Sequence, residues 1–249
     1  MKLITFGDSW VWGVGAGWKK DQTKEEYSSV AWSPESEQQS FRSLLSKKFN
    51  LENVNHSRPG SSNQSQVRRA SEYFIRDRED QKDIFVIWGL TSVYRFEVFD
   101  ADTKGFETQF IPGRTKFSEM FATNFFDEGN ETSNLYYQIK LFNAYFNQLG
   151  IKNYWFNVFN EHKFPKKVGN LLFNGTSLLS MLTNDNKPND NYHKSNWLFE
   201  KELNTDRKIK KAREKSLVNP YSSHPTDKSH QRIAEMFEQE IDFTTGDRK

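Results

Sequence analysis

The stretch that decides the fold is Lys2-Leu3-Ile4-Thr5-Phe6-Gly7-Asp8-Ser9, which lies at the start of a chain of 249 residues. Residues 2–6 form a short, largely apolar run that stops at a glycine, and this pattern predicts a β-strand. Gly-Asp-Ser is prone to form turns, and further glycines follow at positions 13, 15 and 17. The sequence therefore places a tight turn directly after its first strand.

Predicted strands and helices alternate along the rest of the chain. Further strands are predicted at 53–56, 83–88 and 151–159, and helices at 40–49, 64–78, 134–149 and about 226–241. In the helix over 64–78, the apolar residues Val67, Ala70, Phe74 and Ile75 are expected to face inward. This alternation favours an α/β fold, in which a central parallel sheet carries helices on both faces.

Three polar segments interrupt the alternation. Residues 18–39 are predicted to form a surface loop or insertion. Residues 100–132 and 160–220 are predicted to be insertions in a single domain that covers 1–249. Within the last of these, 171–173 and 177–182 suggest short helices in a lid or edge segment, and the basic run 207–213 suggests a solvated helix face.

Composition excludes several classes of function. The net charge is +2, from 35 basic and 33 acidic residues, so nothing steers the chain toward nucleic acid or an anionic membrane. It has no cysteine, which excludes disulfides, a thiol nucleophile and thiolate metal sites. Its apolar runs are too short to cross a bilayer, and no signal-like segment opens the chain. A cytoplasmic protein is expected, with a virion as the other location considered.

Ser9 is a candidate nucleophile because the carboxyl ends of parallel strands are where chemistry gathers in such sheets. A serine on a turn that leads into a helix has backbone N–H groups beside it that can bind an oxyanion. The plainer interpretation is that Asp8 and Ser9 only cap a turn or a helix.

A serine nucleophile needs a base, which is usually a histidine. The five histidines are at positions 56, 162, 193, 224 and 230. His224 precedes a proline at the start of the last predicted helix, where an imidazole can reach across a cleft. His230 lies inside that helix and is expected to pack or bond locally. An early Gly-Asp-Ser and a late His-Pro together are more specific than either alone.

These residues resemble the SGNH (GDSL-type) hydrolase superfamily over nearly the whole chain. Phe6-Gly-Asp-Ser9 is similar to its first block, Asn55 through Gly60-Ser-Ser-Asn63 to its second, and His224-Pro with the following Ile233-Ala234 to its last. The resemblance implies a three-layer α/β/α, flavodoxin-like fold. It also implies Ser9 as nucleophile, His224 as base, and an oxyanion site formed by Ser9 and Gly60 with Thr91 or Asn63.

The sequence departs from the family pattern at two positions. The third block should read Gly-x-Asn-Asp, but the chain has Gly89-Leu-Thr91-Ser92, so threonine replaces the expected oxyanion asparagine. Three residues before His224, where the family has aspartate, stands Tyr221. The imidazole would then be oriented by a backbone carbonyl, as in Ser-His dyads, or by another acid such as Asp227.

Polar residues after the third block are candidate substrate-binding groups. Arg95 and Glu97 are expected to form a local ion pair; alternatively, Arg95 binds an anionic group of the substrate. Asp8 and Ser92 complete this set of binding candidates, although Asp8 normally holds the nucleophile turn in this architecture.

The resulting hypothesis is a serine ester hydrolase that acts on a small-molecule or glycan ester, with O-acetylated carbohydrate as the preferred substrate. No metal and no cofactor are implied, and the oligomeric state is left open. The alternative is a catalytically inactive SGNH-like module that binds carbohydrate or has a structural role, for example in a phage particle. A nucleic-acid-binding role based on 207–215 is poorly supported by the near-neutral charge.

Overall fold

The structure is a computed structural model, and it describes residues 1–76, 83–102, 104–110, 116–185 and 207–249. Its strands are β1 (Lys2–Phe6), β2 (Glu52–Asn55), β3 (Ile84–Leu90), β4 (Arg95–Asp100), β5 (Gly105–Phe110), β6 (Lys152–Asn157), β7 (Ile241–Asp242) and β8 (Asp247–Arg248). Its helices are α1 (Ser9–Trp12), α2 (Lys24–Val30), α3 (Pro34–Gln38), α4 (Phe41–Phe49), α5 (Asn63–Ser71), α6 (Lys116–Asn124), α7 (Glu128–Leu149), α8 (Leu178–Thr183), α9 (Arg207–Glu214) and α10 (Asp227–Glu240). A π-helical turn (Glu72–Arg76) extends α5, and a 3₁₀ turn (Leu172–Gly175) precedes α8.

The central sheet has four parallel strands in the order β2-β1-β3-β6, which confirms the predicted parallel sheet. β1 lies in the interior of this sheet, where Ile4 is in register with Val54 on one side and Val86 on the other. The order matches the doubly wound, flavodoxin-like arrangement. The turn after β1 therefore lies near the middle of the sheet's carboxyl edge.

Both faces of the sheet are covered, because successive strand residues point to opposite sides. On one face Leu3, Phe85 and Ile87 pack in a core with residues of α4, α8, α9 and α10. On the other face Phe6 and Trp88 pack in a second core, with residues of the α5 extension and α7. The α/β fold with helices on both faces of a parallel sheet is thus confirmed.

Aromatic rings fill much of this interior. The Trp88 ring stacks on Phe6 and on Trp155, with centroids 4.4 Å apart in each pair. Such contacts add to the free energy gained by burying the ring surfaces. The sequence has 22 phenylalanines, and among the described residues twelve of them are buried, so more than half of this unusual content lies in the core.

Several segments differ from the prediction. Residues 18–39 contain the helices α2 and α3, and a capping box at Thr23 and Glu26 starts α2. The 100–132 segment continues a β4–β5 hairpin and includes α6, and α7 begins at residue 128 instead of 134. Within the π-helical turn, Ile75 is 56% exposed and does not face the core.

Of the two predicted alternatives, the short helices in 160–220 form the edge segment and not the lid, because Leu171 pairs in a parallel bridge with Trp155 of the edge strand β6. Leu172 and Leu179 are fully buried against the sheet face that carries Leu3. The basic run on α9 is not wholly solvated either, since Lys208 is 1% exposed and its Nζ donates to Ser180 Oγ at 2.5 Å. The part of the predicted insertion at 186–206 lies outside the described residues.

Among the helices of the described residues, none has the length and apolar character needed to span a membrane.

Candidate active site

The turn after β1 places Ser9 at the carboxyl edge of the sheet. Ser9 is the first residue of α1, and the Asp8 side chain caps this short helix by accepting from the Trp10 N–H at 3.0 Å. Gly7 makes the turn possible, because a Cβ at this position would lie 2.3 Å from Val11 Cγ2. The capping interpretation of Asp8 is therefore correct, and it leaves Ser9 at the helix start.

Asp8 is the centre of a buried polar network. Its Oδ2 atom accepts from Thr91 Oγ1 at 3.2 Å and from Arg95 Nη1 at 3.2 Å, and the side chain has no solvent exposure. Burial raises the pKa of Asp8, whereas Arg95, the Trp10 N–H and Thr91 act in the opposite direction. These contacts tie the nucleophile turn to the residues that follow β3.

Arg95 does not pair with Glu97, so the expected local ion pair is wrong. Each residue has a partner elsewhere in the fold: Glu97 accepts two hydrogen bonds of 2.9 Å from Arg68 on α5, and Arg95 pairs with Asp8. Arg95 faces inward, is 3% exposed, and donates to the carbonyl of Ser61 at 3.3 Å as well as to Asp8. It thereby joins the second and third sequence blocks to the nucleophile turn.

The structure gives Asn63 and Thr91 positioning roles. Asn63 Nδ2 donates to the Thr91 carbonyl at 2.8 Å, and the Thr91 N–H donates to Asn63 Oδ1 at 2.9 Å. The Thr91 hydroxyl donates to the Asp8 carboxylate, and Thr91 is fully buried. Both side chains that were considered as oxyanion donors therefore hold the loop after β3 in place.

Backbone N–H groups are left as the oxyanion candidates. The N–H of Ser9 stands at the start of α1, where a helix provides no internal acceptor. Gly60 has a φ of +73°, and the space that a Cβ would occupy is empty to beyond 4 Å. The sequence resemblance implies these two N–H groups as oxyanion donors, and this role stays a prediction.

The three candidate substrate-binding side chains are largely withdrawn from solvent. Asp8, Ser92 and Arg95 are 0%, 4% and 3% exposed. Ser92 Oγ accepts from the Tyr94 N–H at 3.2 Å, and the other two residues pair with each other. Their observed contacts support the architecture of the site, and a substrate-binding role for them stays a prediction.

His224 is held against the segment that follows α1. Gly15, with φ at +94°, lies so close that a Cβ would be 2.8 Å from His224 Cβ and 2.6 Å from the Pro225 carbonyl. The Val14 N–H in turn donates to the carbonyl of Ser9 at 3.0 Å. The structure thus places the candidate base against the glycine-rich segment that follows α1, six residues after the candidate nucleophile.

The environment of His224 favours the neutral imidazole. Burial and the nearby positive charge of Arg95 together lower its pKa to about 3, and the backbone carbonyl of Ser222 acts in the opposite direction. Its Nδ1 atom is fully buried, although the residue keeps some exposure. Asp227 is the exposed first residue of α10, and its Oδ1 accepts from the Lys228 N–H at 2.7 Å.

His230 lies in α10 and packs against α4, as expected for a histidine that packs or bonds locally. Its Nδ1 accepts from the Phe41 N–H at 3.3 Å, and its ring stacks near Phe41 in the core. Burial lowers its pKa to about 3, and the positive charge of Arg42 adds to this. His230 is thus a second buried, neutral histidine.

These two histidines make the fold sensitive to acid. A histidine whose pKa is lower in the folded state than in the unfolded state binds fewer protons when folded, so stability falls as the pH drops from about 6.5 toward 3. We expect each to reduce the free energy of unfolding by up to about 1.4 kcal/mol per pH unit in this window. Urea unfolding at pH 7 and pH 5 measures the loss. His230→Gln should show a smaller loss, and an equal loss would contradict this account.

A cavity of about 1210 Å³ opens at the same edge of the sheet. Its lining includes Tyr94, Phe159 and His162, but neither Ser9 nor His224 is among the described residues that line it. Phe159 separates the two regions, because its ring packs edge-on against Trp10 at 4.9 Å and lies 5.6 Å from the Arg95 guanidinium. The Phe159 side chain thus lies between the cavity and the nucleophile turn.

His162 is a site residue that the sequence reasoning missed. Its Nε2 atom lies 3.0 Å from the carbonyl of Thr91, next to the loop after β3. It follows the end of β6 by five residues, and the rule that site residues follow parallel strands would have identified it.

In the part of the chain that the structure describes, no three histidine, aspartate or glutamate side chains come together as metal ligands would.

No model of a protein family and no curated protein matches the sequence. Among solved structures, the chain is similar to a lipolytic protein of the G-D-S-L family from Desulfitobacterium hafniense DCB-2, with 10% identity, a TM-score of 0.42, and 95% of this chain and 97% of that chain covered. It is similar to the psychrotrophic esterase EstA from Pseudoalteromonas sp., with 11% identity, a TM-score of 0.43, and coverage of 95% and 94%. It is also similar to the acetyl xylan esterase Est2A from Butyrivibrio proteoclasticus, with 12% identity, a TM-score of 0.41, and coverage of 95% and 62%. The solved structures to which this chain is similar are thus lipolytic proteins and esterases.

Proposed function

We propose that the chain is a serine ester hydrolase of the SGNH type. The observation that carries the proposal is that Ser9 starts α1 at the carboxyl edge of β1, and that a neutral His224 lies against Gly15 in the segment that follows α1. A helix start supplies backbone donors for an oxyanion, and a neutral imidazole can accept a proton.

In the proposed reaction, Ser9 Oγ attacks the acyl carbonyl of the ester while His224 takes the hydroxyl proton. The tetrahedral oxyanion accepts hydrogen bonds from the N–H groups of Ser9 and Gly60. His224 then gives its proton to the leaving alcohol, which leaves an acyl group on Ser9. Water attacks this acyl-enzyme, again with His224 as the base, and releases the acid and free Ser9.

The charges around His224 suggest slow turnover. The imidazolium that forms during each half-reaction lies near the positive Arg95, whose charge lowers the pKa of His224. A triad acid would stabilise this imidazolium, and its expected position holds Tyr221. We therefore expect a modest esterase that works best on activated or small acyl esters.

The cavity behind Phe159 suits the alcohol part of a polar substrate. Aromatic faces from Tyr94 and Phe164 line it together with the exposed amines of Lys163, Lys166 and Lys167. Aromatic walls with polar groups between them are suited to sugar rings. An O-acetylated carbohydrate is therefore the substrate class that we propose.

The second candidate function is a non-catalytic module with the same fold, and the burial of Ser9 favours it. Ser9 is only 4% exposed, so a substrate reaches its hydroxyl only if neighbouring side chains move. Such a module would bind glycans in the cavity without cleaving an ester.

Labelling with a fluorophosphonate tests the proposal, because the probe reacts only with an activated serine hydroxyl. We expect one label per chain, located at Ser9 by peptide mass spectrometry, and none in Ser9→Ala. Ser33→Ala removes another serine at a helix N-terminus and should label like the wild type. Absence of label at Ser9, together with equal background acetate release from wild type and Ser9→Ala, would favour the non-catalytic module.

A further inference from the structure

The residue at the usual position of the triad acid does not orient the base. Tyr221 turns its hydroxyl away to donate to the carbonyl of Gln22 at 2.9 Å, and its side chain is 37% exposed. The backbone carbonyl of the adjacent Ser222 lies beside His224, and the N–H of Asn219 closes the same loop on the His224 carbonyl at 2.7 Å. A group that holds this loop in place therefore also holds His224 in place.

The loop that carries the carbonyl is closed by its own hydrogen bonds. Asn219 Oδ1 accepts from the N–H groups of Tyr221 and Ser222 at 2.7 and 3.2 Å. The N–H of Asn219 donates to the His224 carbonyl at 2.7 Å, and the N–H of Ser223 donates to the Asn219 carbonyl at 2.9 Å. These hydrogen bonds link residues 219–224 into one closed turn.

Tyr27 anchors this loop from the outside. Its hydroxyl lies 2.8 Å from Ser222 Oγ, and Tyr27 is only 4% exposed. Tyr27 belongs to α2, in the polar segment 18–39 that the sequence pattern suggests is a plain surface loop. Its ring packs with Val14 and Ala31, so the helix that carries it is fixed on the segment that follows α1.

We propose that Tyr27 is a positioning residue, which holds the Ser222 carbonyl against His224 and so replaces the orienting function of the absent acid. This inference rests on the proposed esterase function. Tyr27 touches neither substrate nor the reacting atoms; it acts through Ser222. The segment 18–39 thus contributes to the site that it borders.

Tyr27→Phe removes the hydroxyl and keeps the ring, so the packing of α2 is retained. We expect kcat for p-nitrophenyl acetate to fall roughly tenfold to a hundredfold, because small displacements of a catalytic group have effects of this size. KM should change little, since no substrate contact is lost. Ser222→Ala removes the other partner of the same bond, and the double variant should lose no more than the larger single loss.

The matched control is Tyr154→Phe. Tyr154 is also buried, and its hydroxyl donates a 2.8 Å hydrogen bond to the Gly246 carbonyl, at the opposite edge of the sheet. It should lower the melting temperature as Tyr27→Phe does and leave kcat per folded molecule unchanged. An equal loss of kcat in this control would show a general effect of stability and would overturn the inference.

A second measurement does not depend on activity. In protein labelled with ¹⁵N-histidine, the ring nitrogens of wild-type His224 should report one tautomer, whereas Tyr27→Phe should move them toward averaged values. The charges that face His224, from Arg95, Asp8 and His230, are the same in both proteins. Unchanged His224 signals would overturn the positioning role, whether or not the wild type hydrolyses esters. A wild type without hydrolysis or labelling would refute the proposed function, and the His224 signals would still decide the role of Tyr27.

Discussion

Replacing His224 by alanine is expected to lower kcat for ester hydrolysis by about 10²-fold to 10⁴-fold, less than the roughly 10⁶-fold loss in a complete triad, because Tyr221 stands where the family has the carboxylate that supports the imidazole. Without the imidazole, the Ser9 hydroxyl stays protonated at neutral pH and is a weak nucleophile. Steady-state kinetics with p-nitrophenyl acetate measure the loss. Added imidazole should restore part of the activity of His224→Ala, because it can enter the space that the side chain vacates.

His56→Gln is the control for this experiment. His56 follows β2 at the same edge of the sheet and stacks on Phe6 at 5.2 Å, but it has no role in the proposed reaction. Its kcat per folded molecule should stay close to that of the wild type. If His224→Ala kept more than about a tenth of wild-type activity, a role for His224 as base would be refuted, since this is above the residual rate expected.

The pH profile provides a second check on His224. An ordinary histidine base is protonated below pH 6.5, and activity then declines. Because the pKa of His224 is lowered to about 3, its neutral form persists in mild acid. We therefore expect kcat/KM of the wild type to remain level from pH 8 to about pH 5. A decline centred near pH 6.5 would show that another environment, or another group, controls the reaction.

The sheet could be predicted from the sequence because each of its strands is a local signal. The run 84–88 is apolar throughout and is buried on both faces, as expected for a strand inside a parallel sheet. The helices α2 and α3 were missed because their residues are mostly polar, and only a few, such as Tyr27 and Ser36, are buried. Burial of a few side chains in a polar segment leaves no clear periodicity.

Within the candidate site, the sequence could identify only those residues whose own position beside a predicted strand or helix is informative. Ser9 and His224 follow from their positions next to a strand end and a helix start. The partner of Arg95 could not be predicted, since Asp8 lies 87 positions away and Glu97 lies two positions away on the same strand. The exchange of hydrogen bonds between Asn63 and Thr91 spans 28 positions, and only the fold brings these residues together.

The second large effect is expected for Asp8→Ala, which should destabilise the fold by about 3–5 kcal/mol. The substitution removes the acceptor for the Trp10 N–H, for Thr91 and for Arg95, all in the interior. The guanidinium of Arg95 then keeps its charge in a buried site and loses the carboxylate opposite it. Urea denaturation at pH 7 measures the free energy of unfolding.

The double variant Asp8→Ala/Arg95→Met separates the charge effect from the loss of the cap. With both charges removed, the buried site holds no isolated ion, so the double variant should be more stable than Asp8→Ala alone. Glu52→Ala is the control, because it breaks an exposed pair with Lys2, in which the side chains are 60% and 30% exposed, and it should change stability little. If Asp8→Ala behaved like Glu52→Ala, the Asp8–Arg95 pair would not be what holds the nucleophile turn. If the double variant were no more stable than Asp8→Ala, the cost would come from the lost cap and the bond to Thr91.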